Sequence, residues 1–207
     1  MKKLILSLFT LFALASCSAT TNSISQSNQE ELSSTTNQET NTVNSENKIL
    51  VAYFSATGST ERVANYINEE LNSTIFEVEP EQEYTSTDLN YNNSSSRVSQ
   101  EHNDESKRDI KLKVTTPDNF ASYTTVFVGY PIWWGIAAWP INNFIKDNDF
   151  TNKTIIPFAT SASSSLGNSA TNLQQLNNTG TWLEGRRFSS SARESDVISW
   201  VTSLNLK

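Results

Sequence analysis

The chain has 207 residues, enough for one substantial hydrophobic core. It is acidic, with 22 Asp plus Glu against 15 Lys plus Arg, so it lacks the positive footprint that non-specific nucleic-acid binding requires. One cysteine and one histidine exclude an intramolecular disulfide, a cysteine metal cluster, a redox-active cysteine pair and a histidine-rich metal centre. Any redox chemistry must therefore come from a bound cofactor.

The N-terminus reads "MKK", then the apolar run "LILSLFTLFALA", then "LASC". Positive charge, a short apolar run and a small-residue ending make residues 1–16 a secretory signal. The run is too short to span a bilayer comfortably. Leu14, Ala15, Ser16 and Cys17 resemble the lipobox of bacterial lipoproteins, in which the cysteine is lipidated before cleavage. The alternative is a plain signal peptide with a chance cysteine, but Cys17 is the only cysteine of the chain. Each methylene of an attached lipid that enters the bilayer contributes about 0.8 kcal/mol, so two or three chains anchor durably. Residues 18–47 are almost all Ser, Thr, Asn, Gln and Glu, interrupted by Ile24, Leu32 and Val43. They bury too little to offset their ordering entropy and predict a disordered tether with a mean reach of roughly 30 Å. The folded domain is expected over 48–207.

Within that domain, strand and helix patterns alternate. "KILVAYF" reads as a buried strand, followed by an amphipathic helix in which Val63, Ile67 and Leu71 recur at four-residue spacing. "TIFEVEP" alternates as a less buried strand that Pro80 ends. The polar stretch 82–116 gives no decisive pattern; its His102 reads as a surface residue. "TTVFVGYP" is a buried strand and "WPINNFIKDND" a short helix. "KTIIPFATS" is another strand, although Pro157 argues against a fully bonded central position. "NSATNLQQLNN" predicts a helix and "TWLEG" a short last strand. The closing helix groups Val197, Ile198, Val201 and Leu204 on one face. This alternation predicts an α/β fold, a doubly wound five-stranded parallel sheet covered on both sides. Ligands of such folds bind beyond the carboxyl ends of the strands, where strand order reverses.

Three unusual loops follow strands at that edge. The first, "SATGST", combines the hydroxyls of Ser55, Thr57, Ser59 and Thr60 with Gly58 and opens directly into a helix. Helix-start N–H groups favour an anion, so the loop reads either as a phosphate cradle or as a helix cap. No lysine lies in it, against a triphosphate loop, and it is not the dinucleotide fingerprint. The second, "YPIWWGIAAWP", carries Tyr130, Pro131, Ile132, Trp133, Trp134 and Gly135. Neighbouring tryptophans of an extended chain face opposite ways, so Trp133 and Trp134 read as stacking faces for a flat ring or as core anchors. Trp139 reads as a core anchor. The third, "TSASSSLGNS", offers Thr160, Ser161, Ala162, Ser163 and Gly167, small residues that let backbone groups reach a ligand edge, or a plain flexible loop. A phosphate cradle, an aromatic wall and a small-residue loop at one edge together describe flavin mononucleotide (FMN): one phosphate, a ribityl chain and a planar redox ring.

At these residues the chain resembles the flavodoxin-like family, and more closely its lipoprotein branch in Gram-positive bacteria, over about residues 48–206. Ser55, Thr57, Gly58 and Thr60 match the Ser/Thr-x-Thr-Gly-x-Thr phosphate loop. "GYPIWWG" and "KTIIPFATS" with its following loop are similar to the two ring-binding segments, and "WLEGRRF" to the branch's ending. The resemblance implies FMN binding by these loops. Two departures stand out. Ala162 and Ser163–Ser165 replace a glycine-rich loop, and Ala138 and Trp139 precede Pro140 where the branch places an earlier proline. Non-glycine residues resist positive φ, so a costlier loop motion is expected. Glu101 matches a recurring acidic position. Arg186 and Arg187 read as facing a partner or solvent.

The expectation is a lipid-anchored FMN protein on the extracytoplasmic face of the cell membrane that carries electrons to redox proteins in brief encounters. Stacking and nearby negative charge would lower its potential. The alternative is an FMN-dependent oxidoreductase that passes electrons from NAD(P)H to a quinone or small acceptor. A third possibility is a flavin-free binding or structural protein. The sequence leaves oligomeric state open and points to no metal.

Overall fold

In a computed structural model, which describes residues 48–206, strand β1 (Ile49–Tyr53) is buried along its whole length at the middle of the domain. The signal segment, Cys17 and the tether lie outside the described residues. The remaining elements are α1 (Ser59–Leu71), β2 (Thr74–Glu77), α2 (Arg97–Asn103), β3 (Thr125–Trp133), β4 (Ile136–Ala137), α3 (Pro140–Asp147), β5 (Thr154–Ser161), α4 (Ser169–Leu176), β6 (Thr181–Trp182), β7 (Arg186–Ser189) and α5 (Glu194–Ser203).

The sheet runs β2-β1-β3-β5-β6, with β7 also on β5, and every one of these pairings is parallel. This is the doubly wound arrangement that the strand–helix alternation predicts. The period of two along β1 explains why both faces need cover. Leu50 and Ala52 face one way, into a core shared with Ile141, Phe144 and Leu173 of α3 and α4. Ile49, Val51 and Tyr53 face the other, against Val63 and Ile67 of α1 and Val197 and Trp200 of α5. Val63 and Ile67 are fully buried, and such side chains contribute about 1.5–3 kcal/mol each.

The far edge departs from expectation. The last strand exists in two pieces, with β6 beside Thr154 and Ile155 and β7 beside Phe158–Ser161. Pro157 stands between them. Alternation turns its nitrogen to the side toward which Ile155 O points, where it accepts from Leu183 N at 2.9 Å. Proline has no N–H to give there, and the ladder is interrupted. Gly185 fills the break, since a Cβ would come within 2.7 Å of Pro157 O. Pro157 therefore occupies a central strand but, as expected of proline, not a fully bonded position, because its neighbour breaks opposite it.

Two further differences concern extent. β3 continues through Trp133 and turns back as the antiparallel pair Ile132–Ala137 and Trp133–Ile136, so the first half of the second loop is strand. The polar stretch 82–116 contains α2 and a 3-10 turn at Glu105–Arg108, and it is pinned to the domain by the bridge Pro80–Leu112. Val98, Ile110 and Trp139 form a small core of their own beneath it. In α5, Trp200 is buried and Ile198 is only half-buried.

Candidate functional site

β1, β3 and β5 end side by side, and β2 and β3 flank β1 on opposite sides. The reversal of strand order therefore lies between β1 and β3, and a cleft of about 520 Å³ opens there. Ser55, Thr57, Ser59 and Thr60 line it from the first loop, Pro131, Ile132, Trp133 and Trp134 from the second, and Thr160, Ser161, Ala162 and Ser163 from the third.

The first loop begins α1 without a side-chain cap. The N-cap is Gly58, at φ 81, a left-handed conformation that glycine adopts without penalty. Ser55 Oγ accepts from Gly58 N at 3.1 Å. Thr60 is buried, and its Oγ1 lies 2.8 Å from Thr160 Oγ1, tying the start of α1 to the end of β5. The hydroxyls thus shape the loop and do not cap the helix. Among the described residues, the N–H groups of Ser59, Thr60 and Glu61 find no acceptor. Three convergent N–H groups at the positive end of a helix, with the hydroxyls of Thr57 and Ser59 beside them, fit a phosphate.

In the second loop the two tryptophans take different roles. Trp133 makes edge contacts with Phe54 at 5.6 Å, Tyr84 at 5.3 Å and Trp139 at 5.0 Å. Trp134, at φ 47 in the β3–β4 turn, stays 43% exposed and stacks on His102 at 4.2 Å and Trp139 at 5.9 Å. His102 is therefore half-buried against the aromatic wall and not a surface residue, with its Nδ1 buried and unpartnered among the described residues.

Trp139 is fully buried, as expected of a core anchor, and its Nε1 donates to Glu101 Oε2 at 2.6 Å. The same oxygen accepts from Tyr84 Oη at 2.7 Å, and Oε1 accepts from Arg97 Nε at 2.7 Å. Glu101 thus joins the polar stretch to the back of the aromatic wall. Burial, and then Glu101, push the Tyr84 phenol far above its ordinary value, so Tyr84 is a standing donor.

The structure separates four candidate residues from the cleft lining. Gly58 sits at the helix start. Tyr130 points into the core below α4, its hydroxyl 3.1 Å from Ser169 Oγ, and burial pushes its phenol up to about 12. Gly135 completes the β3–β4 turn at φ 80, and Gly167 precedes α4 at φ 51. Six lining residues were not anticipated: Ala56 from the first loop, Leu89, Tyr91 and Val98 from the polar stretch, and Ser164 and Ser190 beside the third loop. Leu89, Tyr91 and Val98, apolar or aromatic residues scattered in a polar run without period, were their one sequence signal. Arg187 faces neither solvent nor a partner alone, since its guanidinium reaches Ser161.

A family model described as Flavodoxin matches residues 48–204. A solved structure from Bacteroides eggerthii DSM 20697, classed as a flavoprotein, is 42% identical, with a TM-score of 0.69 over 77% of this chain and 99% of its own. One from Bacteroides uniformis ATCC 8492, classed likewise, is 41% identical, with a TM-score of 0.69 over 75% of this chain and 97% of its own. A flavoprotein from Lactobacillus acidophilus NCFM, solved in complex with FMN, shares the fold at 23% identity and a TM-score of 0.54, over 74% of this chain and 98% of its own. A comparison with curated proteins finds no match.

Proposed function

Because the chain belongs to the flavodoxin family through residues 48–204, we propose that it binds FMN in this cleft and carries electrons as a lipid-anchored protein outside the cytoplasmic membrane. One observation carries the cofactor: the uncapped start of α1 and the Trp133–Trp134 wall open onto the same cleft. The N–H groups of Ser59–Glu61 and the nearby hydroxyls hold the phosphate, while Trp133, Trp134 and the third loop enclose the ring. FMN supplies the redox chemistry when bound, and the chain supplies orientation, dryness and charge. The FMN complex of the Lactobacillus acidophilus flavoprotein, which has the same fold, supports this reading.

The anchor rests on the lipobox ending at Cys17 and the polar run to residue 47, and the Gram-positive lipoprotein branch on the likeness of "GYPIWWG" and "WLEGRRF" to that branch. The partners are redox proteins that meet the cleft mouth at the membrane surface. A second reading, reduction of a quinone by NAD(P)H, is favoured by Tyr91, 71% exposed at the cleft. It offers a flat ligand a further aromatic face.

The purified protein is expected to show a flavin visible spectrum, or to gain one on addition of FMN. A colourless protein that takes up no FMN overturns the proposal. Cys17→Ser should move the protein from the membrane to the soluble fraction, and unchanged fractionation refutes the anchor. Rapid quinone turnover with NADH or NADPH alone would replace the carrier role by the enzymatic one.

A further inference from the structure

β5 ends at Ser161, which pairs with Ser189 of β7, and the third loop of the cleft begins there. Arg187, on the same β7, reaches this junction with two donors: Nε to Ser161 Oγ at 2.8 Å and Nη2 to Ser161 O at 2.8 Å. Ser190 N also donates to Ser161 O, at 3.1 Å. Ser161 Oγ in turn donates to Ser164 O. The carbonyls of residues 161 and 164 are thus spent on the protein. The N–H groups of Ala162, Ser163 and Ser164 find no acceptor among the described residues, and all three residues line the cleft. Arg187 makes no ion pair among the described residues, so its charge stands uncompensated behind the loop. None of residues 161–165 has a positive φ. The Ala and Ser residues that stand where relatives of the branch carry glycine are therefore unstrained in the orientation that Arg187 fixes.

From this geometry we infer that Arg187 is a positioning residue that turns the third loop into a donor-rich edge of the cleft, selective for a ligand edge rich in acceptors and tighter as that edge gains negative charge. The inference rests on the FMN reading of the site. Uptake of two electrons and one proton leaves a flavin ring with one added negative charge. Three free N–H groups and a guanidinium then hold the reduced form more tightly than the oxidised one. The loop thus raises the potential, opposite to the lowering that the aromatic wall and the acidic chain lead one to expect.

The test compares the wild type with Arg187→Met and Arg187→Lys. FMN affinity is read by flavin fluorescence and the midpoint by titration with dithionite against an indicator dye. In Arg187→Met, binding of reduced FMN should weaken at least tenfold relative to oxidised FMN, which lowers the two-electron midpoint by about 30 mV or more. Arg187→Lys, which keeps the charge and loses the fork, should fall between. Equal weakening of both forms, or no change, overturns the inference, because a purely structural role would leave the midpoint in place. In FMN-free protein, the backbone amide resonances of Ser161–Ser165 should move in Arg187→Met, and in Arg187→Lys if the methionine variant does not fold. Unmoved resonances also overturn the inference. A wild type that takes up no FMN refutes the flavin reading alone, and the amide resonances then decide the role of Arg187.

Discussion

Thr57 and Thr60 stand three positions apart in one loop and do different work. Thr60 is buried and committed to Thr160, whereas Thr57 is exposed at the lip of the cleft. Thr57→Leu is therefore expected to weaken FMN binding about tenfold, near 1.4 kcal/mol, with no change in Tm; flavin fluorescence and thermal unfolding check both halves. Thr60→Val should instead cost about 1 kcal/mol of stability, read from urea unfolding of the FMN-free protein. The spacing Ser-x-Thr-Gly-x-Thr was legible because it is local. The commitment of Thr60 was not, because its partner lies 100 residues away. The same holds for His102, whose polar neighbours in sequence conceal the tryptophan it meets in space.

At the scale of elements, α2 shows what a short polar helix can do. It buries only Val98, Ser99 and Glu101, too few apolar positions for a periodic signal, and so it was not readable from pattern. Its hold on the domain is polar: the Glu101 carboxylate takes donors from Tyr84, Arg97 and Trp139. Glu101→Ala leaves a buried Trp139 N–H and the guanidinium of Arg97 without their acceptor and should cost about 3–5 kcal/mol, measured by urea unfolding. Glu101→Gln should cost less, since one oxygen remains, yet its amide N–H groups cannot serve three donors. The long buried strands and α1, α3 and α5 were legible because their apolar periods are strong. β7 was not, because "RRFS" carries one buried apolar residue, Phe188. The break before it follows from Pro157 only once the pairing partner of β5 is known.

For the whole molecule, the cleft joins three loops that the chain supplies far apart. A ligand that bridges them binds only the folded state. FMN at a hundred times its Kd should stabilise the protein by about 2.7 kcal/mol, seen as a rise in Tm that grows with FMN concentration. The position of the cleft was legible from the rule for strand ends. Its outer wall was not, because Leu89, Tyr91 and Val98 come from the stretch without pattern.

The direction of β1 has a consequence for traffic. The chain enters the sheet at Lys48, at the foot of β1, and the cleft lies at its head, one strand-length of about 17 Å away. A domain leashed by the residues before Lys48 would carry its electron outlet at the end opposite its point of attachment. A partner held at the membrane surface would then meet the cleft only once the domain has turned over.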